Sequence, residues 1–174
     1  YKKKYKESKK IKFHPKDNHP PDGDISVDAV TGTAMLIDRD KLKLINDWDT
    51  NIFNYYEDMD LCLRFRLKGF EIIKIRDSEV DHDAFSSHDE NFSKQMDFSR
   101  NWHYSWSSFY FLKKHTTIFN AYKFGISLLL KSIIKSVFYI FFKRSKSITH
   151  FAKAYGIFFA ILNLKSKYRP KITI

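Results

Sequence analysis

The chain has 174 residues, of which 43% are hydrophobic and 17% aromatic, a composition that suits one domain with a buried core and excludes a disordered chain. Its single cysteine, Cys62, excludes a disulfide scaffold and favours a reducing compartment. The net charge of +11 is uneven, because residues 17–112 are acidic overall whereas residues 113–174 carry thirteen basic side chains and no acidic one. Basic ends of this kind predict an acidic partner or an anionic surface. Because the first residue is Tyr1 rather than methionine, we expect the sequence to be an excerpt.

Hydrophobic periodicity predicts alternating strands and helices along the first half of the chain and helices alone near its end. Gly32 interrupts the first strand, where it permits a bulge or the close approach of a ligand. Gly69 ends the central helix, since glycine readily takes the left-handed conformation that follows a helix. The predicted strands cover residues 25–37, 70–75 and 79–82, and the predicted helices cover residues 38–46, 57–68, 119–142 and 148–164.

The central helix carries acidic side chains that differ in their predicted burial. At 100° per residue, Asp58 lies on the apolar face of the helix, so its carboxylate is expected to point inward. It is either an acid that stabilises the N-terminus of the helix or a general base at the rim of a cleft. Asp60 and Arg64, four residues apart, are expected to form an ordinary surface pair. The apolar residues that share the face with Asp58 are Leu61, Cys62 and Phe65.

Three further polar positions are candidates for a binding site. Thr31, Gly32 and Thr33 either line a pocket or simply pack within the strand. His82 lies between two aspartates, and a neighbouring carboxylate can orient its ring and leave the other nitrogen for a metal or a phosphate; a structural role is the alternative. Arg100 suits a diphosphate, because a guanidinium donates to two oxygens at once, and an arginine at a helix start is the alternative.

The helix predicted over residues 119–142 is long and apolar, but lysines recur on one of its faces. Two lysines near its middle would each cost about 2.5 to 3.5 kcal/mol inside a bilayer, so a position in the interface with anionic headgroups is favoured. A re-entrant hairpin or an oligomer contact is the alternative. The polar face carries Lys123, Ser127, Lys131 and Lys135, and the opposite face carries Ile126, Leu129, Ile133, Val137 and Ile140.

Four stretches resemble, in order, the acceptor-side motifs of family-2 glycosyltransferases, particularly the bacterial rhamnosyltransferase-like members. The central stretch contains Glu57-Asp58-Met59-Asp60-Leu61 and continues with Arg64 and Gly69-Phe70. The other three are residues 27–37 with Thr31-Gly32-Thr33, residues 80–86 with His82 and Ser86, and Arg100-Asn101 followed by aromatic residues and Lys113. Ala84-Phe85 departs from the glycine often found there. The resemblance covers residues 27–113.

This resemblance implies an α/β fold class, the C-terminal part of a GT-A nucleotide-sugar transferase fold, followed by amphipathic, membrane-associated α-helices. Residues 1–24 would form a basic N-terminal loop or hairpin, residues 25–113 the acceptor-side half of the catalytic domain, and residues 114–174 a basic membrane-associated tail. The enzyme would act at the cytoplasmic face of the cytoplasmic membrane, peripheral or monotopic, in cell-surface polysaccharide synthesis. The excerpt alone is expected to be inactive, because the family's donor-binding half would precede it.

The resemblance also implies a reaction. An inverting transferase moves a sugar, such as rhamnose, from a nucleotide-diphosphate donor to a lipid-linked saccharide, with Mg²⁺ or Mn²⁺ as the divalent cation. Asp58 would be the base that takes the acceptor proton, and Glu57 would contact the acceptor or hold the helix start. His82 would be the metal ligand, and Arg100 would lie at the leaving diphosphate. The substrate-binding residues would be Thr31, Gly32, Thr33, Ser86 and Arg100.

Two other functions would explain parts of the sequence. A non-catalytic module that binds a membrane surface would need only the lysine faces, and Asp58 would then be structural. A nucleic-acid binder would use the basic ends and the interleaved aromatic residues. The basic residues instead lie beside long apolar faces, and no recognised nucleic-acid-binding motif is present, so we expect no nucleic-acid partner.

Overall fold

The structure, a computed structural model, describes residues 23–82 and 90–170. In these ranges 59% of the residues are helical and 4% are in strands, which form a single two-stranded sheet. The predicted α/β fold, the C-terminal part of a GT-A transferase fold, is therefore wrong, and the observed core is a bundle of helices. The chain separates into two compact units. One contains residues 23–48 and 58–82, and the other contains residues 49–57 and 90–170.

The first unit combines two short strands with two helices. Its elements are β1 (Ile25–Val27), α1 (Arg39–Leu44), α2 (Glu57–Leu67, in this unit from Asp58) and β2 (Ile72–Lys74). The strands are antiparallel, with Ser26 opposite Ile73. Ile45, at the end of α1, packs with Leu61 and Phe65 of α2 in a small buried cluster.

The strands are shorter than predicted. Of residues 25–37 only Ile25–Val27 join the sheet, because β2 has only three residues with which they can pair. Beyond them the chain is irregular, and Leu36 is 99% exposed. Residues 79–82 are also irregular and exposed. Residues with high strand propensity form a strand only where a neighbour completes the backbone hydrogen bonds, and within the described residues no neighbour does so there.

The helices predicted in this unit are confirmed, and local sequence sets their ends. Asp38 caps α1, because its carboxylate accepts from the N–H groups of Asp40 at 3.0 Å and Lys41 at 3.2 Å. These hydrogen bonds, that of Lys41 foremost, lower the pKa of the Asp38 carboxyl. Gly69 follows α2 with a φ of +90°, a left-handed conformation that favours glycine.

The second unit contains three long helices. Its elements are a short 3₁₀ helix (Glu90–Phe92), α3 (Ser93–His115), α4 (Ile118–Ile140) and α5 (Arg144–Ile161). α5 packs along both α3 and α4, and these two also contact each other. Among the described helices, none combines the length and the apolar character that crossing a bilayer requires. The buried core consists of Trp102, Trp106, Phe109, Ala121, Ile157 and Ala160.

Two glycines bring these helices close together. A Cβ atom at Gly156 on α5 would lie 2.2 Å from the carbonyl oxygen of Trp102 on α3, so the two backbones are in direct contact. A Cβ atom at Gly125 on α4 would lie 2.8 Å from the ring of Phe109. Such dense packing leaves the Trp102 side chain completely buried.

The chain folds back along α3 after α5 ends, and we call residues 162–170 the strap. Asn163 begins the turn with a φ of +58°. The N–H groups of Asn163 and Leu164 donate to carbonyl groups in the last turn of α5, each at 3.0 Å, which is a Schellman cap. The Nε1 of Trp106 then donates to the carbonyl oxygen of Leu164 at 2.9 Å, which fixes the start of the strap to α3.

His103 on α3 is fully buried and holds the middle of the strap. Its Nε2 lies 3.0 Å from the carbonyl oxygen of Tyr168, and its Nδ1 lies 3.0 Å from the hydroxyl of Ser166. A carbonyl can only accept, so Nε2 donates and Nδ1 of the neutral ring accepts from Ser166. Burial lowers the pKa of His103 to about 4; the hydrogen bond to Tyr168 opposes this shift and the charge of Arg169 adds to it. The imidazole is therefore neutral at pH 7.

We expect stability to depend on pH through His103. In the unfolded chain the ring has an ordinary pKa of 6.5, so between pH 6.5 and about pH 4 the unfolded state binds more protons than the folded state. The free energy of unfolding should fall by roughly 3 kcal/mol as the pH drops through this range. Urea unfolding of His103→Gln should show a smaller decline, whereas the control His115→Gln should decline like the parent. Equal declines in all three proteins would contradict this account.

Candidate functional site

The central contact of the candidate site joins two of the motifs singled out in the sequence. The N–H of Gly32 donates to Oδ2 of Asp58 at 2.9 Å, across a separation of 26 residues. The other carboxylate oxygen, Oδ1, accepts from the N–H of Met59 at 2.7 Å. Asp58 is half-buried in the first turn of α2. Two backbone N–H groups thus hold the carboxylate in one orientation, and each oxygen keeps a further lone pair with which to accept a proton.

The threonines on either side of Gly32 line an open groove of about 1190 Å³. The hydroxyls of Thr31 and Thr33 are exposed and 3.5 Å apart. Cys62, one turn after Asp58 on α2, also lines this groove but is itself buried. Burial raises the pKa of the Cys62 thiol, so it is a neutral packing group rather than a nucleophile. Gly32 and Asp58 are not among the lining residues.

Gly32 lies in a turn, so the strand bulge predicted there is wrong. An added Cβ atom would meet only Asp58, with its Cβ at 3.7 Å and its Oδ2 at 3.8 Å. These are ordinary van der Waals distances, and the backbone of Gly32 is outside the left-handed region. The close approach of a ligand at Gly32 stays a prediction.

Asp60 and Arg64 form a buried ion pair, and the predicted surface pair is therefore wrong. The Nε of Arg64 donates to Oδ2 of Asp60 at 2.7 Å, and their side chains are 16% and 1% exposed, respectively. The buried side of α2 therefore includes the polar residue Asp60 as well as the apolar residues Leu61, Cys62 and Phe65. This is because the turn after α1 covers the side of the helix that carries the pair.

That turn supplies two further acceptors for the guanidinium. The Nη1 of Arg64 donates to the carbonyl oxygens of Ile45 and Asp47, both at 2.6 Å. Asn46 and Asp47 have φ values of +62° and +54°, a left-handed conformation that costs most residues roughly 1–2 kcal/mol and that asparagine and aspartate tolerate best. The strained turn is thus held in place by the buried pair.

Glu57 begins α2 directly after two strained residues. It is half-buried, and its Oε2 is fully buried. Tyr55 and Tyr56 have φ values of +63° and +68°, at a cost of roughly 1–2 kcal/mol each. Their rings pack on Tyr104, with centroids 5.7 Å and 5.6 Å away. Backbone outliers of this kind cluster at functional sites, which supports a role for the acidic helix start.

The metal-ligand role of His82 stays a prediction, because the residues directly after it lie outside the described ranges. His82 is exposed. Ser86 lies outside the described residues. Within 23–82 and 90–170, no three side chains of histidine, cysteine, aspartate or glutamate are grouped as a cation site. A single exposed histidine does not fit Mg²⁺ or Mn²⁺, which bind several oxygen ligands. The divalent cation stays a prediction, and we assign no step to it.

Arg100, predicted to lie at the leaving diphosphate, belongs to α3 in the helical unit. It is half-buried, and its Nη1 donates to Oδ1 of Asp97, one turn earlier, at 3.2 Å. A diphosphate would have to compete with this ion pair for the guanidinium. The role of Arg100 at a leaving diphosphate stays a prediction.

One polar cluster could not be anticipated from the sequence. The Asp49 carboxylate accepts from Nζ of Lys114 at 2.6 Å and from the hydroxyl of Tyr110 at 3.0 Å. Burial by itself would raise the pKa of Asp49, but hydrogen bonds from Lys114 and Asn51 outweigh it and lower the pKa. Asp49 and Lys114 are 65 residues apart, and no spacing rule connects residues at that distance.

The structural role of His103 was also missed in the sequence. The one feature that could have indicated it is the position of this histidine in a helix rich in aromatic residues.

In comparisons with known proteins, no family model, curated protein or solved structure matches the chain. The resemblance to family-2 glycosyltransferases therefore stays a prediction.

We expect Arg64→Gln to destabilise the protein by about 3 kcal/mol or more, because it leaves the Asp60 carboxylate buried without its countercharge. Urea unfolding at pH 7 measures the loss. Lys43→Gln is the matched control, since it removes an exposed ion pair with Asp40 and should cost less than about 1 kcal/mol. Similar losses in the two variants would show that burial of the pair contributes nothing.

Proposed function

We propose that this chain is the acceptor-side part of an inverting glycosyltransferase, which moves a sugar such as rhamnose from a nucleotide-diphosphate donor to a lipid-linked saccharide. The observation that carries the proposal is the hydrogen bond between the N–H of Gly32 and the Asp58 carboxylate. It joins two of the four motifs on which the resemblance rests. The reaction would serve cell-surface polysaccharide synthesis at the cytoplasmic face of the cytoplasmic membrane.

In this proposal Asp58 is the general base. The acceptor hydroxyl attacks the anomeric carbon, its proton passes to the Asp58 carboxylate, and the bond from the anomeric carbon to the diphosphate oxygen breaks. Attack from the face opposite the leaving group inverts the anomeric configuration. The two N–H groups on the carboxylate fix its direction, which is what a positioned base requires. The exposed hydroxyls of Thr31 and Thr33 suit hydrogen bonds to sugar hydroxyls.

The remaining site residues keep the roles that the resemblance implies. Glu57 contacts the acceptor or holds the helix start, and its buried oxygen and strained neighbours support a defined position. Arg100 neutralises the departing diphosphate once the anion displaces Asp97. Ser86 binds substrate.

Asp58→Asn tests the proposal. Asparagine can still accept the Gly32 N–H through its side-chain oxygen but cannot take up a proton, so folding should persist while transfer falls by about 10²- to 10⁴-fold. The measurement is the transfer of radiolabelled sugar from nucleotide donors to the lipid fraction of membranes that contain the protein in its natural full length.

Asp40→Asn is the matched control, because Asp40 has an 89% exposed side chain on α1 and should keep full activity. Circular dichroism and thermal unfolding confirm that both variants fold. If the folded Asp58→Asn protein kept its activity within a few-fold of the parent, Asp58 would not be the base and the transferase proposal would lose its main support.

A module that binds the membrane surface is the second candidate, and α4 favours it. α4 meets the core through the small buried residues Ala121, Gly125 and Ser132. Leu129, which we predicted to face the membrane, instead packs against that core. Most large apolar side chains of α4 lie on its other sides and are exposed. In the second half of α4 they include Leu130 (55%), Ile134 (66%), Val137 (53%), Phe138 (56%) and Ile140 (59%).

Lysines border this apolar surface of α4. Lys123, Lys131 and Lys135 are all exposed. Burial of an apolar side chain at the acyl boundary is worth up to about 1.5–3 kcal/mol, and each lysine near an anionic headgroup adds about 1 kcal/mol. The surface therefore suits an anionic membrane. Membrane binding is compatible with the transferase, since a lipid-linked acceptor is itself in the membrane.

We expect the double variant Lys131→Gln/Lys135→Gln to bind vesicles of phosphatidylglycerol and phosphatidylcholine roughly 30-fold more weakly, which corresponds to about 2 kcal/mol. Vesicle sedimentation measures the affinity. Lys41→Gln/Lys43→Gln is the matched control, because it removes the same charge from lysines outside α4 and should change little. If both double variants lost the same affinity, binding would depend on net charge alone and not on the surface of α4.

A further inference from the structure

A cavity of about 460 Å³ lies in the helical unit, between the C-terminal half of α3 and the strap. Its buried part is apolar and includes Trp106, Phe109 and Ala160. Three lysines occupy the more exposed part of the lining, Lys113 on α3 with Lys165 and Lys167 on the strap. The volume falls in the range of small-molecule sites. A cavity with an apolar interior and a cationic mouth suits an amphiphilic anion.

The lysines of this cavity have no carboxylate to balance them among the described residues. None of the residues that line the cavity is acidic. The nearest acid in sequence to the lining residue Thr50 is Asp49, but its 12% exposed side chain is already bonded to Lys114 and Tyr110. Like charges repel when they converge on one cavity, so an anion bound among the three ammonium groups would relieve that repulsion.

Hydrogen bonds position the Lys113 side chain and the backbone that carries the strap lysines. The Nζ of Lys113 donates to the side-chain oxygen of Asn163. Asn163 is the left-handed residue of the α5 cap. On the strap, the N–H of Lys167 donates to the carbonyl oxygen of Lys165 at 2.8 Å. Glycine is the usual residue at this cap position, and asparagine adds the amide that orients Lys113.

We propose that this cavity binds a phosphate or diphosphate ester that carries an apolar chain. The lysines contact the phosphate oxygens as point charges, a role that lysine commonly fills. The apolar chain of the ligand packs against Trp106 and Phe109, and its own transfer out of water stabilises the complex. None of the residues that line this cavity lines the groove beside Asp58, although Lys113 also belongs to one of the four motifs on which the resemblance rests.

The proposal is tested by calorimetric titration of the whole chain with soluble probes. Farnesyl diphosphate supplies both the anion and the apolar chain, inorganic diphosphate supplies the anion alone, and farnesol supplies the chain alone. We expect farnesyl diphosphate to bind at least about tenfold more tightly than either part. Dihexanoyl phosphatidylglycerol identifies the source of the phosphate: tighter binding than farnesyl diphosphate would assign a membrane phospholipid, and weaker binding a lipid diphosphate.

Two variants separate the cavity from general charge effects. Lys165→Gln/Lys167→Gln should weaken farnesyl diphosphate about tenfold or more, whereas Lys41→Gln/Lys43→Gln, with the same change in charge on α1, should stay within about twofold. Asn163→Gly keeps the cap but releases Lys113, so it should weaken binding several-fold with little loss of thermal stability.

Three results would overturn the proposal. The parent protein could show no binding at about millimolar farnesyl diphosphate. Inorganic diphosphate could bind as tightly as farnesyl diphosphate, which would leave the apolar part of the cavity without a role. The two double-lysine variants could lose the same affinity, which would place the ligand outside the cavity.

Discussion

The first unit depends on one buried ion pair. A carboxylate inside a protein needs a countercharge and hydrogen bonds, and Arg64 supplies both to Asp60. The same guanidinium holds the left-handed turn after α1 through two carbonyl groups, so it ties that turn to α2. This fixes the rotation of α2 about its axis. Asp58, two residues earlier, consequently meets the N–H of Gly32. The orientation of the proposed base is therefore set by a pair that takes no part in the chemistry.

A different constraint organises the helical unit. Gly156 allows α5 to touch the backbone of Trp102, and the close contact puts α3 and α5 at a fixed distance. The strap can then lie on α3, where Trp106 and the neutral ring of His103 hold it. Two lysines of the proposed phosphate site are on this strap. Helix packing thus positions surface charges that have no packing role of their own.

Each proposal depends on a separate feature of the chain. A carboxylate held by backbone N–H groups suits proton removal from a sugar hydroxyl, the lysine cavity suits a phosphate ester, and the apolar surface of α4 suits lipid. The complete absence of acidic residues from 113–174 is consistent with repeated contact between this region and anions.

The sequence by itself determined the features that depend on neighbouring residues. The cap at Asp38, the end of α2 at Gly69 and the lysine spacing on α4 follow from local hydrogen bonding, backbone freedom and helical periodicity. Tertiary structure alone decided the fold class, the length of β1, the burial of Asp60 and the path of the strap. Each of these depends on a partner elsewhere in the chain: β2 for β1, the turn after α1 for Asp60, and His103 for the strap. A strand propensity or an i, i+4 charge pair looks the same in a sequence whether or not such a partner covers it. Only the folded structure shows which backbone groups find hydrogen-bond partners and which charged side chains are buried away from water.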